Sequence, residues 1–129
     1  MSATTVLAIL RRVVACLMAA HGAYRAASPE RVRGFGQWLA SLHLPVGELL
    51  AAAITGAELA GAVALWFGWR RRLVSLLFVA ELATGIVLIH ATEGWFVVGG
   101  GRNGMEYSVL LIAVLLAVAA ESRPHRDTA

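Results

Sequence analysis

Apolar residues fall along this chain in four long stretches, over residues 5–26, 47–68, 73–92 and 105–120, with short polar segments between them. A helix needs about 20 mostly apolar residues to cross the hydrocarbon core of a bilayer. The pattern therefore predicts an all-α fold, a four-helix transmembrane bundle. Arg11-Arg12 interrupts the first stretch near its start, Glu58 sits in the middle of the second, and Glu81 lies within the third. The fourth is the shortest and opens on Glu106-Tyr107. Residues 29–43 carry a different pattern. Ser28-Pro29-Glu30 reads as a helix start with a capping serine, a first-turn proline and an early carboxylate. Val32, Phe35, Leu39 and Leu42 then recur at helical spacing until Pro45. A short amphipathic helix lying in the outer interface is expected there. In the second stretch Ala53, Ala57 and Gly61 form one row of small residues, and Gly56, Ala60 and Ala64 another. Such rows let helices approach closely in lipid. Gly99-Gly100-Gly101 and Asn103-Gly104 make the third connection a flexible turn.

Composition agrees with a membrane setting. Hydrophobic residues make up 59% of 129 residues, more than a soluble protein of this size can bury. The length suits one domain over residues 1–129. All basic residues other than histidine are arginine, and they gather at the ends of the apolar runs. That distribution fits lipid headgroups and excludes a nucleic-acid face. Arg11, Arg12, Arg70, Arg71, Arg72, Arg123 and Arg126 fall on one side of the four-span topology, and Arg25, Arg31, Arg33 and Arg102 on the other. The richer side is expected in the cytoplasm, with both termini. Arg11-Arg12 followed by a short apolar run also resembles a signal peptide, but His21 and Tyr24-Arg25 stand where small residues should mark cleavage, so a retained helix is expected. Cys16 is the one cysteine, which leaves no disulfide or CxxC pair within a chain. No zinc-type spacing, phosphate-cradling loop or Ser-His-Asp order is present, so no metal site and no catalytic residue is assigned.

Ionisable groups inside a span are costly and often functional. Arg11, Arg12, Glu58 and Glu81 are expected as buried polar residues, with Glu58 and Glu81 closer to mid-membrane. His21, His90 and Glu106 come from three different helices at similar outer depth and, with Arg25, form a candidate ligand site. Histidine can hydrogen-bond a quinone carbonyl, and histidine with glutamate can pass protons. Helical phase sets a limit: Glu81 and His90 are nine apart, half a turn out of phase, and cannot share a pocket on a straight helix. The structural alternative is that these groups only tie helices together.

These residues resemble the DoxX family of small bacterial membrane proteins. The resemblance rests on an arginine before His21-Gly22, Arg25 where the family often has lysine, Phe35, and the Trp38-Leu39 to Leu44-Pro45 stretch. It continues through Glu58-Leu59 with Gly61 and Gly68, His90, and Gly104-Met105-Glu106-Tyr107. It implies a four-helix fold in the bacterial plasma membrane. It also implies association with redox systems, since relatives are linked to thiosulfate:quinone oxidoreductase and to thiol or oxidative-stress complexes. Three functions are expected in descending order: an oxidoreductase subunit that interacts with quinone, a scaffold or assembly protein, and a small-solute or proton carrier. The expected partners are the bilayer and a redox protein or a second copy of the chain. The lone Cys16 argues against thiol exchange by this chain unaided.

Overall fold

The computed structural model describes residues 1–121. Arg123 and Arg126, part of the charge argument, lie outside the described residues. Among the described residues every regular element is helical: α1 (Ala3–Ala26), α2 (Pro29–Ser41), α3 (Gly47–Phe67), α4 (Arg71–Glu93) and α5 (Glu106–Ala120). Three of these, α1, α3 and α4, are long and apolar enough to cross a membrane. α5 is apolar but has 15 residues, about 22 Å at 1.5 Å per residue, short of the roughly 30 Å hydrocarbon core. The helices fall where hydrophobic periodicity predicts them, with ends displaced by a few residues. The chain divides into two compact units, Arg12–Trp69 and Met1–Arg11 with the chain from Arg70 onward.

In the first unit α2 packs against α3. A Cβ on Gly36 would meet the Cα of Glu48 at 2.6 Å and its backbone nitrogen at 2.8 Å. This approach is possible only without a side chain at residue 36. The connection enforces it: α2 ends with His43 left-handed at φ 63, and Val46 enters α3 at φ 51. The N–H of His43 donates to Ala40 O at 2.9 Å and that of Leu44 to Leu39 O at 3.3 Å, the two bonds of a Schellman cap. Left-handed backbone at a β-branched valine is strained, so the close fit of the two helices must offset it. Gly36→Ala is therefore expected to destabilise the protein by about 1–3 kcal/mol, the range for overpacking. Denaturant unfolding in detergent, followed by tryptophan fluorescence, measures it; a wild-type midpoint would show that the contact is unimportant.

At its other end α2 starts at Pro29 as expected, but the serine does a different job. The Ser28 hydroxyl donates to the Glu30 carboxylate and caps no backbone N–H. That bond holds the Glu30 carboxyl below its ordinary range. Arg31 locks the corner between α1 and α2, donating to Tyr24 O at 2.7 Å with its guanidinium 3.9 Å from the Tyr24 ring centroid.

The buried face of α3 is Ala51, Thr55, Glu58, Ala62 and Leu65, with Ala64 beside it. These residues repeat at intervals of four and three, the helical stripe of a packed face. The rows of small residues lie mostly elsewhere: Ala53, Ala57, Gly56 and Ala60 are exposed. Gly68, at φ 74, closes α3 through Gly68 N–H to Leu65 O and Trp69 N–H to Ala64 O.

In the second unit α4 packs against α5. Val74, Ser75 and Phe78 are buried on α4, and Ser108, Leu111, Leu115, Val118 and Ala119 on α5. Arg71 ties the ends of the pair, donating to both the carboxylate and the backbone carbonyl of Glu121. α4 is not a uniform α-helix. Residues Ile86–His90 form a π turn, after which Ala91–Glu93 returns to α geometry.

Candidate functional site

The first unit contains one buried charged cluster. Glu58 is only 4% exposed, and its carboxylate accepts a hydrogen bond from the Arg25 guanidinium at the end of α1. The same nitrogen of Arg25 lies 3.3 Å from the Thr55 hydroxyl, which itself donates to Ala51 O at 2.8 Å. The Cζ of Arg25 stands 4.4 Å from the centroid of the Phe35 ring on α2. All three helices of the unit thus hold one arginine. Gly22 explains how it reaches Glu58: a Cβ there would meet Leu59 Cγ at 3.0 Å, so α1 lies close against α3 beside the pair. Burying both charges is costly in a low-dielectric interior, and only a paired, hydrogen-bonded arrangement is tolerable.

In the second unit a polar cluster lies at the π turn. His90 Nδ1 lies 2.7 Å from the carbonyl oxygen of Asn103. A carbonyl can only accept, so Nδ1 carries the proton and donates. In the neutral form of the ring this tautomer leaves Nε2 as an acceptor. Glu106 opens α5 on the other side of the loop and accepts from the N–H of Val97 at 2.9 Å. The loop that carries these partners is closed on itself, unlike the flexible turn its glycines predict. Backbone bonds run from Gly104 N to Phe96 O, Met105 N to Gly94 O and Glu106 N to Trp95 O. Gly104 is buried where a Cβ would meet Phe96 O at 2.5 Å, and Asn103 is left-handed at φ 60.

The π turn changes the helical phase. On a regular helix nine residues turn through about 900°, which places Glu81 and His90 on opposite faces. One residue inserted by a π turn removes about 100°, leaving them about 80° apart. The straight-helix limit therefore does not hold for this α4. Single π turns inside α-helices occur frequently at functional sites. The His90 ring lies over Gly85, its Cδ2 being 4.0 Å from where a Cβ of that glycine would stand.

His21 is exposed on α1 in the first unit, whereas His90 and Glu106 are half-buried in the second. Arg25, expected beside His21 at the ligand, is engaged by Glu58. Arg11 and Glu81 are half-buried. Arg12 is exposed, with its guanidinium 5.7 Å from the centroid of Trp66. Among the described residues no three histidine, cysteine or carboxylate side chains group as metal ligands would.

The DoxX family profile matches residues 6–91, two thirds of the chain. The chain belongs to the DoxX family. With three helices of membrane-spanning length and composition, it is an integral membrane protein. The matched region of this DoxX protein contains Arg25, Glu58 and His90 and ends at residue 91, before Glu106 and Glu121. No curated protein and no solved structure matches the chain.

Sequence reasoning missed two partnerships. The Arg25 to Glu58 pair joins residues 33 apart, and their pattern alone carries no sign of it. The Arg71 to Glu121 pair had a weak signal, opposite charges at the ends of adjacent apolar runs.

Proposed function

We propose that this DoxX protein is a subunit of a membrane oxidoreductase system, a single four-span domain that binds the headgroup of a quinol at His90. The observation that carries this reading is the His90 side chain. It stands on a π turn, is fixed through Nδ1 by the Asn103 carbonyl, and offers Nε2 as an acceptor. A bare acceptor complements the hydroxyl of a reduced quinone better than the carbonyl of an oxidised one. Exposed Trp95 and Phe96 in the adjoining loop supply apolar surface of the kind a quinone ring needs. Electrons would pass to or from a redox partner, since the chain contributes one cysteine and no metal-ligand motif. The redox association of DoxX relatives supports the same assignment. Quinone extracted from the mildly solubilised, purified protein tests it. Wild type is expected to carry quinone above the level in a control membrane protein prepared alike, and His90→Ala to carry less. Equal amounts in wild type and control would remove the reading.

The second reading, a non-catalytic scaffold, is favoured by a separate observation: Glu58, Glu106 and Glu121 are all engaged within the protein. Under either reading the proposed topology puts Arg70–Arg72 and both termini in the cytoplasm of a bacterium, because arginine is retained on that side. In a Cys16→Ser background, Arg72→Cys and Gly100→Cys are expected to react with an impermeant maleimide from opposite faces. Labelling of both from outside would eliminate four spans.

A further inference from the structure

The loop joining α3 to α4 delivers three consecutive arginines to one end of the second unit. They do not simply project into water. An open groove of about 630 Å³ lies there, lined by Arg70, Arg71, Arg72, Leu73, Leu76 and the last turn of α5 with Glu121. That volume falls within the roughly 300–1,000 Å³ of small-molecule sites. The lining is divided in character. Its polar rim holds three arginines and one glutamate, a net charge of +2 by that count. Its wall is aliphatic, and Leu73 and Leu76 are 51% and 43% exposed.

The arginines are not equivalent. Arg71 is committed to Glu121 through both the carboxylate and the backbone carbonyl, which fixes the groove across α4 and α5. Arg72 is exposed and has no hydrogen-bond or ion-pair partner among the described residues. A guanidinium is a planar set of donors matched to phosphate oxygens. Beside it, an aliphatic wall on a membrane-spanning helix suits an acyl chain. We propose that this groove binds an anionic phospholipid, its phosphate at Arg72 and its acyl chain along Leu73 and Leu76. Charge complementarity selects this occupant over the eight residues after Glu121, which carry two arginines and one aspartate. The proposal is independent of the quinol reading, since it involves neither His90 nor its loop.

Native mass spectrometry of the purified full chain, titrated with phosphatidylglycerol or phosphatidylcholine, tests it. Phosphatidylglycerol is expected to bind in preference. Arg72→Gln should weaken that binding about fivefold, the factor for losing one arginine near a membrane surface. Arg72→Lys should keep most of it, and Arg102→Gln, in the loop between α4 and α5, should leave it unchanged. An unaltered unfolding midpoint in Arg72→Gln shows that the loss is not misfolding. Equal binding of the two lipids, or equal weakening by Arg72→Gln and Arg102→Gln, would overturn the site as non-specific adsorption. Displacement of the lipid by inorganic phosphate at matched concentration would reduce it to a simple anion site and overturn the lipid assignment. Binding that emerges only when residues 122–129 are deleted would give the groove to the chain's own tail.

Discussion

Arg25→Met is expected to destabilise the protein by about 3 kcal/mol or more, because it leaves a carboxylate buried without its counter-charge. Glu58 is 4% exposed, so its carboxylate has almost no contact with solvent. Thr55 cannot take over, since its hydroxyl proton already goes to Ala51 O. Glu58→Gln should cost less, about 1–2 kcal/mol, because the amide oxygen still accepts from Arg25 and the guanidinium, 20% exposed, keeps some contact with solvent. The informative variant removes both charges. Arg25→Met with Glu58→Leu should lie within about 1 kcal/mol of wild type, since a buried pair replaced by apolar groups of similar volume is often neutral. Unfolding by denaturant in detergent of wild type, Arg25→Met, Glu58→Leu and the double variant, the four corners of one cycle, gives the coupling directly. Arg25→Met with wild-type stability, or a double variant worse than either single, would show that the pair does not hold the unit together.

The same pair marks where sequence reading stops. The helices were legible because each follows an apolar run bounded by chain-stopping features, as with Gly68 after α3, although three of the four runs, and not four, form helices of spanning length. The start of α2 was legible from Ser28-Pro29-Glu30, although the serine bonds the carboxylate and not the backbone. That Glu58 needed a partner could be argued from its depth. That the partner is Arg25 depends on where α1 ends along α3, which the Gly22 to Leu59 contact decides. The π turn was hidden for another reason. Ile86-Val87-Leu88-Ile89-His90 contains no proline or glycine to mark a break in the helix. The loop glycines read as flexibility, whereas Gly104 is there because Trp95 and Phe96 carbonyls crowd it.

The second large effect is expected at that histidine. His90→Ala should weaken binding of a quinol analogue about tenfold, the upper range for one hydrogen bond. It also removes the bond to Asn103, so part of any change could come from the loop. His90→Gln separates the two contributions. Its amide has both a donor and an acceptor, and it should restore binding in part while the ring-specific geometry is lost. If both variants bind as wild type does, His90 has no part in recognition and serves only to hold the loop.

The acceptor character of His90 Nε2 is tested directly by comparing the two redox forms of one ligand. Purified protein is titrated with a short-chain quinol under reducing conditions and with the matching quinone under oxidising conditions, binding being followed by tryptophan fluorescence. The quinol should bind saturably and more tightly than the quinone. His90→Ala should abolish that preference and leave the weaker quinone binding nearly unchanged. Equal affinity for the two forms, or no saturable binding of either, would contradict a quinol site at His90 and leave the protein as a scaffold.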